Sequence, residues 1–108
     1  MEKWVYMVYS DLIDPETENE YREWYEKIHY PDIMETPGMV RIAFHKAKNP
    51  AEGQGNFVTV IEIETDDIDK TMAMHQNNME RKAKLGRISS LGKIVSRQIY
   101  RQHFELKR

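Results

Sequence analysis

Hydrophobic positions in this chain change spacing from element to element. Trp4 to Tyr9 is an unbroken aromatic, Val and Met run with no helical gap, which predicts a buried strand. Asp14, Pro15 and Glu16 then predict a helix start: Asp14 caps free amides, Pro15 suits the first helical position, and Glu16 and Glu18 suit the positive end of the dipole. Tyr21, Trp24, Tyr25 and Ile28 follow at i, i+3, i+4 and i+7, one apolar stripe on a charged helix. Pro31 is expected to bend or end that helix near His29 and Tyr30, and Pro37-Gly38 to turn the chain. Met39 to Lys46 reads as a second strand, with Val40, Ile42 and Phe44 on one face and Met39, Arg41, Ala43 and His45 on the other. Residues 49–56 carry turn chemistry throughout and predict an exposed hairpin loop before a third strand, Phe57 to Ile63. Asp66 or Asp67 can cap a second helix that runs to about Leu85-Gly86. Lys93 to Phe104 alternates β-branched and aromatic residues with polar ones, a long last strand.

The order β-α-β-β-α-β is the split βαβ, ferredoxin-like arrangement, an α+β fold in which two helices cover one face of a four-stranded antiparallel sheet. The strands carry large residues on both faces (Val5 and Tyr6, Phe44 and His45, Phe57 and Val58), so the face without helices needs cover. A second copy of the chain is the economical cover, and a homodimer is expected.

Length and composition narrow the partners. At 108 residues there is room for one domain, spanning 1–108, and the 40% hydrophobic and 31% charged content is that of a globular chain. A net charge of -2 gives no electrostatic reason to expect nucleic acid or an anionic membrane. Basic residues gather toward the end (Lys82, Lys84, Arg87, Lys93, Arg97, Arg101, Lys107, Arg108) but alternate with apolar ones, which reads as a solvated face. No apolar run approaches the length of a membrane span, and the chain enters a strand pattern at once, so the cytoplasm is the expected location. Cysteine is absent, which excludes disulfides, thiolate metal sites and cysteine nucleophiles.

The histidines carry the candidate chemistry. Ile68, Met72, His75 and Met79 share a narrow arc of the second helix, so His75 points at the sheet from the middle of a methionine stripe. It reads either as a core histidine satisfied by one hydrogen bond or as a proton-transfer group in a soft apolar pocket. His29 lies four residues after Tyr25, near the rim of the space between helix and sheet. It reads either as a cation at a helix C-terminus or as an acid/base poised near neutral pH. His45 and His103 fall on strands and suit interface packing. Trp4, Tyr6, Trp24 and Tyr25 read as core, or as the wall of a pocket in which buried tyrosines find partners. Metal-ligand spacing is poor, no glycine-rich phosphate loop precedes a helix, and no serine sits in a nucleophile elbow, so neither a metal nor a cofactor is expected.

Tyr21, Trp24, Tyr25, His29 and Pro31, followed by Pro37-Gly38, resemble the EthD-like branch of the dimeric α/β-barrel superfamily, whose aromatic helix often ends in His-x-Pro before a Pro-Gly turn. The motif covers residues 21 to 38, and the likeness in element order covers nearly the whole chain. The resemblance implies a dimer whose sheets close into a barrel, with a ligand cleft in each subunit between helices and sheet. Similar proteins include cofactor-independent monooxygenases, lactone isomerases, polyketide cyclases and haem-degrading enzymes. It carries the cleft histidine of His-x-Pro onto His29. It also sets His75 on the helix where the haem-degrading branch has its axial histidine; that branch's Asn and Trp partners have no clear equivalents, although Trp24 and Asn78 are present.

Two readings follow. In the first, a cofactor-independent enzyme acts on a small apolar or aromatic ligand of phenolic, polyketide-like or lactone type. His29 and His75 are its catalytic candidates, and Tyr6, Trp24, Tyr25 and Met72 its substrate-binding candidates. In the second, a non-catalytic ligand-binding or structural dimer fills the cleft with side chains, and a haem-binding protein is a more distant third. An open cavity of about 300 Å³ or more reaching His29 favours the enzyme.

Overall fold

The structure is a computed structural model describing residues 1–108. β1 (Glu2–Leu12) is central, hydrogen-bonded to β3 (Phe57–Thr65) on one side and β4 (Gly92–Arg101) on the other, with β2 (Met39–Lys46) outside β3. All three pairings are antiparallel, and Tyr6 stands between Ile61 and Ile99. The first helical segment comprises a 3₁₀ turn (Pro15–Thr17), α1 (Glu18–Trp24), a π-helical turn (Tyr25–His29) and α2 (Tyr30–Ile33). The second is α3 (Ile68–Lys84). This is the ferredoxin-like βαββαβ fold.

Local chemistry sets the helix ends. The Asp14 carboxylate accepts from the Glu16 amide at 3.0 Å, and the Asp67 carboxylate from the Lys70 amide at 3.1 Å. At the end of α3, Gly86 adopts φ +74° and the Arg87 amide reaches back to the Lys82 carbonyl, the left-handed stop that glycine permits.

Pro31, expected to bend or end the first helix, does not end it. It occupies the first turn of α2, and the chain stays helical to Ile33. Proline lacks an amide and crowds the carbonyl four residues back, and the preceding turn widens to make room: the Tyr30 amide bonds to the Tyr25 carbonyl, five residues away.

Other expectations shift by a few residues. β1 is longer than the Trp4–Tyr9 run, and β4 ends at Arg101, leaving Gln102–Arg108 irregular with Phe104 and Leu106 exposed. A register irregularity between Met39 and Arg41 moves Met39 into the core beside Ile42 and leaves Val40 exposed, reversing the faces expected for those two residues. The 49–56 loop is held against β1 by Asp11, whose carboxylate accepts from the Gly55 and Asn56 amides at 3.0 and 2.7 Å.

The core lies between the helices and one face of the sheet. Ile33, Met39, Ile61 and Ile63 form one buried cluster, and Tyr21, Tyr25 and Phe57 another. On the opposite face Val5, Met7, Tyr9, Val58 and Val60 remain half-exposed, with Val95 and Tyr100 exposed beside them. No helix is long and apolar enough to cross a membrane.

Candidate active site

The two helical segments part over β1 and β4 and leave a cleft of about 520 Å³, larger than a filled core permits. Tyr6 and Val8 of β1, Trp24, Tyr25 and His29 of the first segment, and His75 and Met79 of α3 are among its walls. Of the sequence candidates, five converge here: His29, His75, Tyr6, Trp24 and Tyr25. Met72 does not. It lines an adjoining cavity with Tyr6 and His75 and packs on the Ile33 cluster, one helical turn too far along α3.

The π turn delivers His29. By widening the helix it lays the imidazole flat on the Trp24 indole (centroids 4.2 Å apart, planes 17° apart) and edge-on to Tyr25. Glu26 precedes His29 by three residues, a helical ligand spacing, but it is exposed and lines a groove on the outside of the segment. From α3, His75 meets Tyr6 edge-on at 5.9 Å.

Both rings bury an unpartnered Nδ1. Unpartnered buried polar atoms are uncommon in folded proteins and call for an explanation. Burial, aided by the charge of His75, pushes the His29 pKa down to about 4 against a smaller upward pull from Asp32. Burial also lowers the His75 pKa, with Arg97 adding to the effect. The cleft therefore presents two neutral imidazoles at pH 7, which corrects the expectation that His29 is poised near neutrality.

The tyrosines divide by role. Tyr25 accepts a hydrogen bond from the Thr59 hydroxyl at 2.8 Å, and burial raises its pKa strongly, so its hydroxyl is committed to the fold. Tyr21 donates to the Ser10 hydroxyl at 2.9 Å, with its own hydroxyl against Gly92. The Tyr6 hydroxyl has no such tie; its pKa is raised by burial, and Arg97 opposes the rise.

A latch that sequence reading missed closes one end of the cleft. Asp32, 3% exposed, accepts from Arg87 Nε at 2.8 Å and Nη2 at 3.1 Å, and Lys82 Nζ lies 3.7 Å away. The Trp24 indole donates to the Arg87 carbonyl at 2.9 Å, and the following residues Ile88 and Ser89 line the cleft. Lys82 is thus not part of a solvated face but is buried against Asp32 and Glu35, while Arg87 stays exposed and makes a bidentate pair with Asp32. The signal was the lone acid just after His-x-Pro, which an unpaired reading of the basic C-terminal half left without a partner.

The side chains present do not fit haem. The Asn78 amide donates to the Asp32 carbonyl at 2.7 Å and accepts from Arg81, so it is taken up between α2 and α3. Trp24 is occupied by His29 and Arg87, and the His75 ring abuts Tyr6. His45 is exposed on the outer face of β2, and His103 is exposed beyond the end of β4 rather than on a strand. No group of three or more His, Cys, Asp or Glu side chains is gathered to hold a metal ion.

No protein-family model matches the chain, and no curated protein matches it in sequence. Solved structures do match in fold. A dimeric ferredoxin-like protein from an uncultured marine organism superposes with a TM-score of 0.68 at 12% identity, covering 98% of this chain and 100% of its own. An EthD family protein from Bacillus halodurans matches with a TM-score of 0.56 at 15% identity over 94% and 99% of the two chains. SnoaB, a cofactor-independent oxygenase from Streptomyces nogalater, matches with a TM-score of 0.62 at 10% identity over the full length of both. The fold these structures share with the chain is the ferredoxin-like one expected from its order of elements.

Proposed function

We propose that the chain is a homodimeric, cofactor-independent enzyme that moves a proton on a phenolic, polyketide-like or lactone substrate, in a reaction of cyclase, isomerase, decarboxylase or monooxygenase type. One observation carries the reading: an open cleft of about 520 Å³ whose walls include two neutral imidazoles with unpartnered, buried nitrogens. An apolar ring enters against Trp24, Tyr25 and Met79, and a substrate O–H or activated C–H donates to His29, with His75 beside it to orient a substrate oxygen. Desolvation makes each imidazole a weak base in the empty cleft. The developing enolate or phenolate beside the new imidazolium restores its basicity, so the proton moves when the right anion forms. The Tyr6 hydroxyl is the group best placed to orient the substrate oxygen. SnoaB shows that this fold hosts cofactor-independent oxygen chemistry in one of its members.

The stacking of His29 on Trp24 favours a second reading, a ligand-binding dimer in which that ring serves as wall rather than base. Deuterium exchange at the acidic C–H of 2-tetralone, followed by proton NMR, separates the two. The enzyme reading expects exchange well above that of a buffer with equal free imidazole. Binding of the probe without faster exchange selects the binding module.

A further inference from the structure

Arg97 is the one charged side chain that the fold places on the helix-facing side of β4 beside both Tyr6 and His75. Its backbone lies opposite Val8 of β1, within the stretch where Tyr6 pairs with Ile99 and Ser10 with Ile94, so its side chain shares the inner face with theirs. It lines the main cleft and also the adjoining cavity, and the two spaces share Tyr6, His75 and Arg97 along their boundary. Arg101, four residues on and on the same face, lies over Trp4 and pairs with Glu2 at 3.4 Å. Arg97 has no carboxylate within ion-pair distance, although Glu80 and Asp69 of α3 border the same spaces. Its charge reaches both neighbours: burial lowers the His75 pKa and Arg97 adds to that, and burial raises the Tyr6 pKa while Arg97 opposes the rise.

We propose that Arg97 is the anion-binding group of this cleft, so that its ligand is a flat apolar body carrying one anionic oxygen, a carboxylate or an enolate. The guanidinium takes that oxygen from the β4 side while the ring lies against the aromatic wall formed by Trp24 and His29. A planar fork of donors suits two oxygens of a carboxylate, or a single enolate oxygen shared with the Tyr6 hydroxyl. A fixed positive charge beside neutral bases also stabilises the anion left when a proton is removed. The inference rests on the cleft being a ligand site and adds the class of ligand.

The test compares 2-naphthoate with its neutral isostere 2-naphthamide, titrated against the intact protein by calorimetry. Naphthoate is expected to bind at least tenfold more tightly than naphthamide. Arg97→Gln should lose about 10- to 100-fold of naphthoate affinity and leave naphthamide unchanged, while Arg97→Lys recovers part of the loss. Equal binding of the two compounds to the wild type overturns the anion assignment and leaves the apolar cleft standing. Binding of neither compound overturns both. If Arg97→Gln melts early, the wild-type preference still decides.

Discussion

Asp32 and Arg87, fifty-five residues apart in sequence, meet through two parallel hydrogen bonds of 2.8 and 3.1 Å at the end of the cleft, where the carboxylate is almost wholly buried. Through this pair the segment carrying His29 is held to the loop that follows α3, and through the Arg87 carbonyl the Trp24 indole is fixed beneath the His29 ring. The carboxylate also faces Lys82 from α3 and His29 from the π turn.

Asp32→Asn should therefore destabilise the protein by about 2–3 kcal/mol, the range for losing hydrogen bonds to a charged group, and loosen the Ile88–Ser89 edge of the cleft. Chemical denaturation and amide exchange in residues 87–91 check this. Hydrogen bonds from Arg87 hold the Asp32 pKa below the ordinary carboxylate range. Its contribution is then full above the unfolded carboxylate pKa, about 4, and lost as pH falls through the lower folded value. In Asp32→Asn that acid-side loss of stability should shrink.

The histidines give a slope of the same sign as Asp32, over a window nearer neutrality. Both folded pKa values are lowered, so between the unfolded value near 6.5 and the folded values the unfolded chain binds more protons. Stability should rise with pH through that window, and the His29 share of the effect should flatten below about pH 4. NMR titration should find His29 with a midpoint near 4 and His75 below a free imidazole. A His29 midpoint at or above 6.5 contradicts the dry setting described for it.

Gly92 begins β4 directly under Tyr21, where an added methyl would sit 2.5 Å from the tyrosine oxygen. The ring is packed by Tyr25, Phe44 and Phe57 and tied to Ser10, so it has nowhere to retreat. Gly92→Ala should cost about 1–3 kcal/mol, an overpacking penalty readable as a lower melting temperature.

Met7 and Val60 stand opposite each other at the centre of the outer sheet face, with Val5, Tyr9 and Val58 around them. A self-association burying about 1,200–2,000 Å² in total is expected there. Sedimentation at micromolar concentration should give a dimer, and Val60→Lys a monomer. A wild-type monomer would contradict the assembly.

Much of this was legible in the sequence because short-range chemistry dictates it. Asp14, Asp67 and Gly86 mark the helix ends, the apolar run Phe57–Ile63 marks the third strand, and the Met72–His75–Met79 spacing aims His75 at the sheet. The features that were not legible depend on long-range partners or on a one-residue change of period. The π turn leaves the Tyr21/Tyr25 stripe intact, and only Pro31 betrays it. The irregularity at Val40 reverses two faces without a glycine to announce it. Asp32, Lys82 and Arg87 read as ordinary surface charges until α2 and α3 are brought together, and Arg97 reads as one more basic residue until β4 is set beside His75.

The central claim is that a desolvated nitrogen of His29 moves the proton, and His29→Phe tests it most directly. Phenylalanine keeps a flat ring on Trp24 and removes both the basic nitrogen and the unpartnered buried Nδ1. The variant is expected to remain dimeric and to melt within about 1 kcal/mol of the wild type, the range of a volume-conserving swap. Its exchange of 2-tetralone should fall by about 10²–10⁴-fold, the worth of a general acid/base. A folded variant that binds and exchanges the probe as fast as the wild type would contradict the account.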